Sequence, residues 1–420
     1  MGTAGRQCVI LAGGLGTRLG SLVEHLPKPM LPVGGRPFLE HLVRDVRRFG
    51  FDTFLFLAGY RGEILAEHFH ADGALARELD ARFTTLIEPR PVGTAGALRE
   101  AASFLDDAFL MLNGDSYFDF NLLDLVRRED MPRAGARIAL REVTDVSRYG
   151  VVETSRDRIV AFQPAGRRKG AGLVNAGVYW IDADILDELR LSDTSLEADL
   201  FPRLAAEGRL AGTVYDGYFV DIGIPADYDA AQADFVQAIR RPAMFFDRDN
   251  VLNEDKGYTH RADQFRWIDG AQRAVKACND AGYFVFVVTN QAGVAHGHYD
   301  LASVEALHAW MNEELRGMGG HVDAFKFCPH HPNGVVAAYR KDCACRKPRP
   351  GMLLELSSAW PVIAEQSLLI GDKDSDLEAA RGAGLRGFKF PGGNLETFVK
   401  EILPSRQVLS ELHRLSRVSV

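Results

Sequence analysis

Cysteine is scarce in this chain, basic charge is in the minority and long apolar runs are missing. Five cysteines in 420 residues are too few for the dense disulfide framework of a small secreted scaffold. Lys and Arg total 49 against 57 Asp and Glu, a formal net charge of -8. The basic footprint needed to grip a phosphate backbone is therefore absent, and nucleic acid is not an expected partner. No apolar run reaches the roughly 18 residues of a membrane-spanning helix. The start, "MGTAGRQCVILAGG", lacks a basic segment followed by a long apolar stretch and a small-residue cleavage site. A soluble, cytoplasmic protein with no membrane partner is expected. What is present is ordinary globular composition, 46% hydrophobic and 25% charged, over more length than one core usually serves.

Short β-rich runs, "CVILAGG", "TFLFLAG" and "AFLMLNGD", alternate with helical stretches such as "FLEHLVRDVRRFG", the pattern of strand-helix units around a mainly parallel sheet. The alternation restarts at "AMFFDRD", after a helical "PADYDAAQADFVQAIRR". A first domain is thus expected over residues 1–238 and a second, also α/β, over 242–400. The tail 401–420, with apolar residues at roughly helical spacing, reads as a packing helix.

The loop "LAGGLGTRLG" (Leu11 to Gly20) is too glycine-dense for a helix interior, and its backbone N–H groups can approach an anion. It is not a dinucleotide fingerprint, because Leu19 stands where the third glycine should be, and it lacks the G-K-[ST] ending of a P-loop. Arg18 inside the loop and Lys28 in "PKPM" add two cations, a set suited to a triphosphate. Asp115 in "NGDS" and Asp221 in "YFVDIGIP" each end an apolar run, where α/β ligand sites form. Singly, each Asp is as readily a turn or cap residue; together they can hold Mg²⁺ between phosphates.

Taken in order, "LAGGLGTRL", "PKPM", "EPRPVGTAGAL", "NGD", "NAGVY" and "DIGIP" resemble the sugar-1-phosphate nucleotidylyltransferases from residue 7 to about 235. The resemblance implies a Rossmann-like, GT-A-like mixed sheet. Leu11, Gly13, Gly14, Gly93 and Thr94 would then bind the nucleotide, and Arg18 and Lys28 the triphosphate. Gly150 and Asn175 would contact the sugar, and Asp115 and Asp221 carry Mg²⁺. One departure is visible. The family's "EKP"-like triplet, whose Lys contacts the sugar phosphate, is replaced by "FQPAGRRKG". Gln163 cannot supply that charge, and Arg167, Arg168 or Lys169 is either its substitute or part of a solvated surface run.

In the second half, Asp247 and Asp249 of "AMFFDRDNV" lie two residues apart at the end of an apolar strand. Adjacent carboxylates repel unless something uses them, and the alternative is a solvated turn. Thr289 after "YFVFVVTNQ", Lys347 in "CRKPRPGM" and Asp372 in "LLIGDKDSD" complete a phosphoryl-transfer set. This is similar to the four-motif signature of the haloacid dehalogenase (HAD) superfamily. The resemblance implies a HAD-like Rossmannoid domain with an aspartyl-phosphate formed at Asp247 and acid-base work by Asp249. Thr289 and Lys347 would bind phosphate, Mg²⁺ would sit at Asp247, Asp249 and Asp372, and Asp376 would support Lys347 or the metal shell. The gaps between motifs leave no room for a large cap.

"CPHHPNGVVAAYRKDCACRKP" concentrates three of the five cysteines. Cys328, His330, Cys343 and Cys345 suit a closed, structural tetrahedral zinc better than a disulfide in a reducing cytosol. His331 is redundant, and Cys8 and Cys278 read as core thiols. The whole half resembles the zinc-containing heptose bisphosphate phosphatases, whose histidinol phosphate phosphatase relatives share the loop. The resemblance places Asn290, Gln291 and Arg346 at the substrate. Two departures stand out: "DRDGT" reads Asp247-Arg248-Asp249-Asn250-Val251, and the Arg of the "GxARG" turn is His296.

Joined, the halves imply a bifunctional enzyme of GDP-heptose biosynthesis acting on small sugar phosphates and an NTP, with GTP first by family analogy. The alternatives are a hexose nucleotidylyltransferase fused to a phosphatase for another sugar phosphate or histidinol phosphate, and a sugar-nucleotide sensor regulating a phosphatase. A homo-oligomer is left open.

Overall fold

The computed structural model describes residues 6–126, 135–147, 149–163 and 168–403. The chain divides into two compact units, Met1–Ala238 and Ile239–Val420. Most of the expected tail helix, from residue 404 onward, lies outside the described residues. Among those described, no helix is long and apolar enough to cross a membrane.

The first unit is built on a nine-stranded sheet. Its leading edge runs Arg82–Ile87, Thr53–Ala58, Gln7–Ala12, Ala108–Asn113, all parallel. The three inner strands are apolar on both faces because helices cover both, as parallel sheets require, while the edge strand Arg82–Ile87 leaves Arg82 and Thr84 exposed. Phe38–Arg48 is one such helix: Phe38, Leu39, Leu42, Val43 and Val46 share its buried face, and Arg47 and Arg48 close its last turn, favourable at the negative end of the helix dipole. The long strand Gly172–Asp182 then pairs antiparallel with Ala108–Asn113 on one side and Ala136–Val143 on the other, making the sheet mixed. A separate two-stranded ladder pairs Ser116–Phe118 with Phe219–Asp221 in the register Asp221 to Ser116. It is this small ladder that carries Asp221 to the end of the strand preceding Asp115.

The second unit is a five-stranded parallel sheet in the order Ala324–Cys328, Phe284–Asn290, Ala243–Phe246, Leu368–Gly371, Arg386–Lys389. Helices Ala271–Asp280 and Leu395–Ile402 share the core on one face with Met244, Phe246, Val285 and Ile370. Between Asp249 and Lys347 the chain provides the helices Ala271–Asp280 and Leu301–Gly317 and the cysteine loop, and no cap domain among the described residues. Cys8 and Cys278 are buried in their respective units.

Two candidate active sites and a candidate metal centre

In the first unit a cavity of about 400 Å³ opens at the carboxyl ends of the parallel strands. Leu11, Gly13, Gly14, Gly93, Thr94 and Asp115 line it, as do Glu88, Asn113, Tyr179 and Glu197, which motif reading did not single out. Beside it, the Lys28 ammonium sits 2.5 Å from Asp115 Oδ2 and 3.6 Å from Asp221 Oδ1. The hydrogen bond from Ile222 N to the Asp115 carbonyl, 3.0 Å, locks the two carboxylate-bearing turns together. Burial, then the neighbouring Asp115 charge, pushes the Asp221 carboxyl above its usual range. Its Oδ1 is buried with no hydrogen-bond partner. Two carboxylates side by side, one with a buried oxygen that accepts no hydrogen bond, are the environment a hard divalent cation completes. Arg18 is exposed.

The residues expected at the sugar are spoken for internally. Asn175 Nδ2 donates to Tyr179 Oη at 2.8 Å and to Glu197 Oε1 at 2.6 Å. Gly150 backs onto the Gln163 carbonyl. Gln163 Nε2 donates to Glu153 Oε1 at 2.5 Å, so its partner at this point is a carboxylate. Arg168 and Lys169 are exposed, and Arg167 lies outside the described residues.

The second unit gathers its motif residues around a cavity of about 210 Å³ lined by Asp247, Asp249, Thr289, Asn290, Gln291, Lys347 and Asp376. Asp247 leaves the strand Ala243–Phe246 and is fixed by its own N–H to the Ile370 carbonyl, 2.9 Å. Lys347 is the pivot. Its side chain is 3% exposed, and Nζ lies 2.9 Å from Asp247 Oδ1 and 2.6 Å from Asp376 Oδ1. A third bond reaches the Val288 carbonyl at 2.9 Å, using every ammonium hydrogen. Burial pushes the Asp247 carboxyl up to about 6 against the pull of Lys347.

Asp247, Asp372 and Asp376 bring their carboxylates within 4.8 Å of one another, and Asp372 Oδ1 is buried with no partner. This set too fits a magnesium ion. The Asp249 side chain is not part of it: Arg248, fully buried, donates to both of its oxygens at 2.9 and 3.1 Å. Asn250 stands at φ 62°, the left-handed conformation that asparagine tolerates where a glycine is usual. Asn290 clamps the backbone of Lys347, giving Nδ2–H to its carbonyl at 3.0 Å and accepting its N–H at 3.1 Å. His296 packs its ring on His331, centroids 4.7 Å apart.

The cysteine cluster is compact. Cys345 Sγ lies 3.3 Å from Cys343 Sγ and 3.4 Å from Cys328 Sγ, and His330 Nδ1 is 3.4 Å from Cys345 Sγ. These separations are far beyond the ~2.05 Å of a disulfide. They approach the ~3.8 Å edge of a tetrahedron with metal–sulfur bonds of about 2.3 Å. Three thiols and one imidazole converging in this way offer four ligand atoms that could hold a metal ion. Cys328 ends the strand beside Thr289, and its carbonyl accepts Gln291 N–H at 2.8 Å. Arg346 Nη1 donates to the His330 carbonyl at 3.2 Å, so this predicted substrate residue also braces the loop.

Residues 7–238 match the family model described as Nucleotidyl transferase, and residues 344–397 match the model described as HAD-hydrolase-like. The second unit is similar to a D-glycero-beta-D-manno-heptose-1,7-bisphosphate 7-phosphatase of Rhodopseudomonas palustris, 47% identical over 40% of this chain and 94% of that protein. The first is similar to a D-glycero-alpha-D-manno-heptose 1-phosphate guanylyltransferase of Campylobacter jejuni, 32% identical over 53% of this chain and 96% of that protein. Among solved structures, HddC from Yersinia pseudotuberculosis is 30% identical, over 55% of this chain and 99% of that one, with a TM-score of 0.48. The chain belongs to the nucleotidyl transferase family through residues 7–238 and joins to it a HAD-like phosphatase.

Proposed function

We propose that the second unit removes the C7 phosphate of D-glycero-D-manno-heptose 1,7-bisphosphate, and that the first transfers a guanylyl group from GTP to the resulting heptose 1-phosphate. The observation that carries this reading is coverage: one chain spans 94% and 96% of two relatives, one named for a heptose 1,7-bisphosphate 7-phosphatase and the other for a heptose 1-phosphate guanylyltransferase. The phosphatase relative is named for the β anomer and the transferase relative for the α. A phosphate on the anomeric oxygen prevents ring opening, so the two configurations cannot interconvert between the steps. One anomer must therefore serve both units, and one unit departs from its relative's named preference.

In the phosphatase, an Asp247 oxygen attacks the C7 phosphorus while Asp249 protonates the departing sugar oxygen, leaving an aspartyl-phosphate. Water, giving its proton back to Asp249, then releases inorganic phosphate. The Thr289 hydroxyl holds a phosphoryl oxygen, and Lys347, by exchanging one of its present hydrogen bonds, takes another. Magnesium, held by Asp247, Asp372 and the Asp376 side of the cluster, supplies charge neutralisation when bound. In the transferase, the sugar phosphate oxygen attacks the α-phosphorus of GTP and pyrophosphate leaves. Lys28 and Arg18 take up its charge, Asp115 and Asp221 hold magnesium, and the rest is positioning. The Cys/His centre holds zinc and fixes Cys345, two residues before Lys347. Use of GTP and of three reduced thiols argues for a cytoplasmic enzyme.

Glu88 supports the choice of guanine. Its carboxylate lines the cavity beside an apolar floor of Leu11, Leu57, Ala97 and Met111, and no Lys or Arg pairs with it among the described residues. Gly13 keeps the approach open, since a Cβ there would stand 3.0 Å from Glu88 Oε1. Burial pushes the carboxyl up, while the Val92 N–H favours its charged form. Guanine offers two adjacent donors, N1–H and the 2-amino group, which one carboxylate accepts together; adenine offers an acceptor in the N1 position.

The test is a mass-spectrometric time course with each anomer of the bisphosphate, Mg²⁺ and a mixture of NTPs. Loss of one phosphate followed by a single GDP-heptose from one anomer is expected. Dephosphorylation with no nucleotide sugar, or nucleotide transfer to hexose 1-phosphates only, overturns the reading.

A further inference from the structure

Gln291 was expected at the substrate, yet it is 2% exposed and all of its polar capacity is directed inward. Its Nε2 donates to Asp249 Oδ2 at 3.0 Å and to Thr289 Oγ1 at 2.9 Å, and its Oε1 accepts from Tyr299 Oη at 2.7 Å. The Asp249 carboxylate, which can only accept, sets which way round this amide sits, and the Tyr299 hydroxyl holds the other end by donating to Oε1. A phenol that donates to one end of the amide leaves only the NH₂ end to face Asp249 and Thr289. Burial pushes the Tyr299 hydroxyl up to about 12, so it remains a donor across the physiological range.

The tyrosine itself is tightly seated. A Cβ at residue 293 would lie 2.2 Å from its Cε1, so glycine is required there, and the His260 ring stacks on it at 4.7 Å and 14°. On the opposite side, Arg248 Nε and Nη2 hold Asp249 Oδ1 at 3.0 and 2.9 Å. Asp249 is thus gripped from two directions. Thr289, by accepting a hydrogen bond from Gln291, is left with its own O–H to donate to a phosphoryl oxygen.

We propose that Tyr299 and Gln291 form a positioning relay that fixes the general acid Asp249 and orients the Thr289 hydroxyl, so that protonation of the leaving oxygen depends on a tyrosine that does not touch the phosphate. The inference rests on the phosphatase reading of Asp249. It separates from a merely structural role because only a leaving group that needs a proton feels a displaced acid.

The experiment compares wild type, Tyr299→Phe, Gln291→Leu and the double variant on heptose 1,7-bisphosphate and on p-nitrophenyl phosphate, with melting temperature and zinc content as controls. Acid-base assistance is worth roughly 10²–10⁴-fold in general. A displaced acid in Tyr299→Phe should therefore lower kcat on the sugar ester about tenfold with KM within about twofold, and p-nitrophenyl phosphate, whose leaving group departs without a proton, should lose several-fold less. Gln291→Leu should lose more, and the double variant no more than Gln291→Leu alone, because the tyrosine acts through the glutamine. Equal losses on both esters, or losses that multiply in the double variant, overturn the relay. Should the wild type ignore the heptose ester yet hydrolyse another alkyl phosphate such as mannose 6-phosphate, the substrate reading fails, and the same ratio on that ester still decides the relay.

Discussion

The two sites of this chain hold their charges in opposite ways. In the phosphatase unit the cation and its carboxylates are interior: the side chains of Lys347, Asp247 and Asp376 are 3%, 8% and 1% exposed. In the transferase unit Lys28 is also covered, but its partners Asp115 and Asp221 keep 33% and 25% of their side-chain surface. A buried ion triad is part of the fold, because each charge depends on the others for having left water. A half-open pair is free to exchange its cation for a ligand at small cost to the fold. Stability and catalysis should therefore be fused in one unit and separable in the other.

The strongest test of that contrast is Lys347→Met. It strands two buried carboxylates, and a loss of about 3–5 kcal/mol is expected together with abolished phosphatase activity, read by denaturant melts and phosphate release. Asp115→Ala is its counterpart: pyrophosphate release should fall at least about 100-fold, as for removal of one electrostatic contact at a reacting phosphate, with a stability change within about 0.5–1 kcal/mol. If that variant unfolds instead, the contrast is wrong.

Zinc sharpens it further. Cys343→Ser should lose metal by elemental analysis and with it most phosphatase turnover, while GTP-dependent pyrophosphate release persists; retained zinc sinks the ligand assignment. A smaller effect is expected at the base. Glu88→Gln should cut the preference for GTP over ITP, measured by equilibrium binding without sugar, by about tenfold, one charge-assisted hydrogen bond. The mildest is pH. Asp247 titrates near 6 without metal, so it is protonated below that pH and must lose its proton to hold magnesium. Magnesium affinity should weaken as pH falls through about 6, and calorimetry in buffers of different ionisation enthalpy should register proton release there.

The strand-helix alternation and the order of motifs were readable because both are local: an apolar strand followed by Asp247, Thr289 or Asp372 places a polar group at the carboxyl edge of a parallel sheet whatever the distant sequence does. Partner choice was not readable. Asn290 looks like a substrate ligand from its place in "TNQ", but it spends both ends of its amide on the backbone of Lys347, a residue that sequence spacing cannot bring to it. Glu88 and Glu197 gave no spacing signal either, since the end of the strand Arg82–Ile87 and the helical turn Leu196–Leu200 that carry them to one cavity meet only in three dimensions. The motif resemblance points to Asp249 as a magnesium ligand, whereas its side chain is engaged by Arg248 and Gln291. The cysteine cluster was legible for a different reason: four soft ligands at short spacing in a chain poor in cysteine narrow the chemistry without any knowledge of the fold.

The three-residue ladder that pairs Asp221 with Ser116 separates two parts of the transferase unit. The described residues between 118 and 219 include central strands of the main sheet, Ala136–Val143 and Gly172–Asp182, as well as the hairpin of Val151–Ser155 and Arg158–Gln163 at its far end. Only the hairpin stands clear of the ladder, so its lining can change without moving either carboxylate. Gln163 and the aspartate pair are therefore held by separate elements, so a substitution on the hairpin and one on the ladder should act independently.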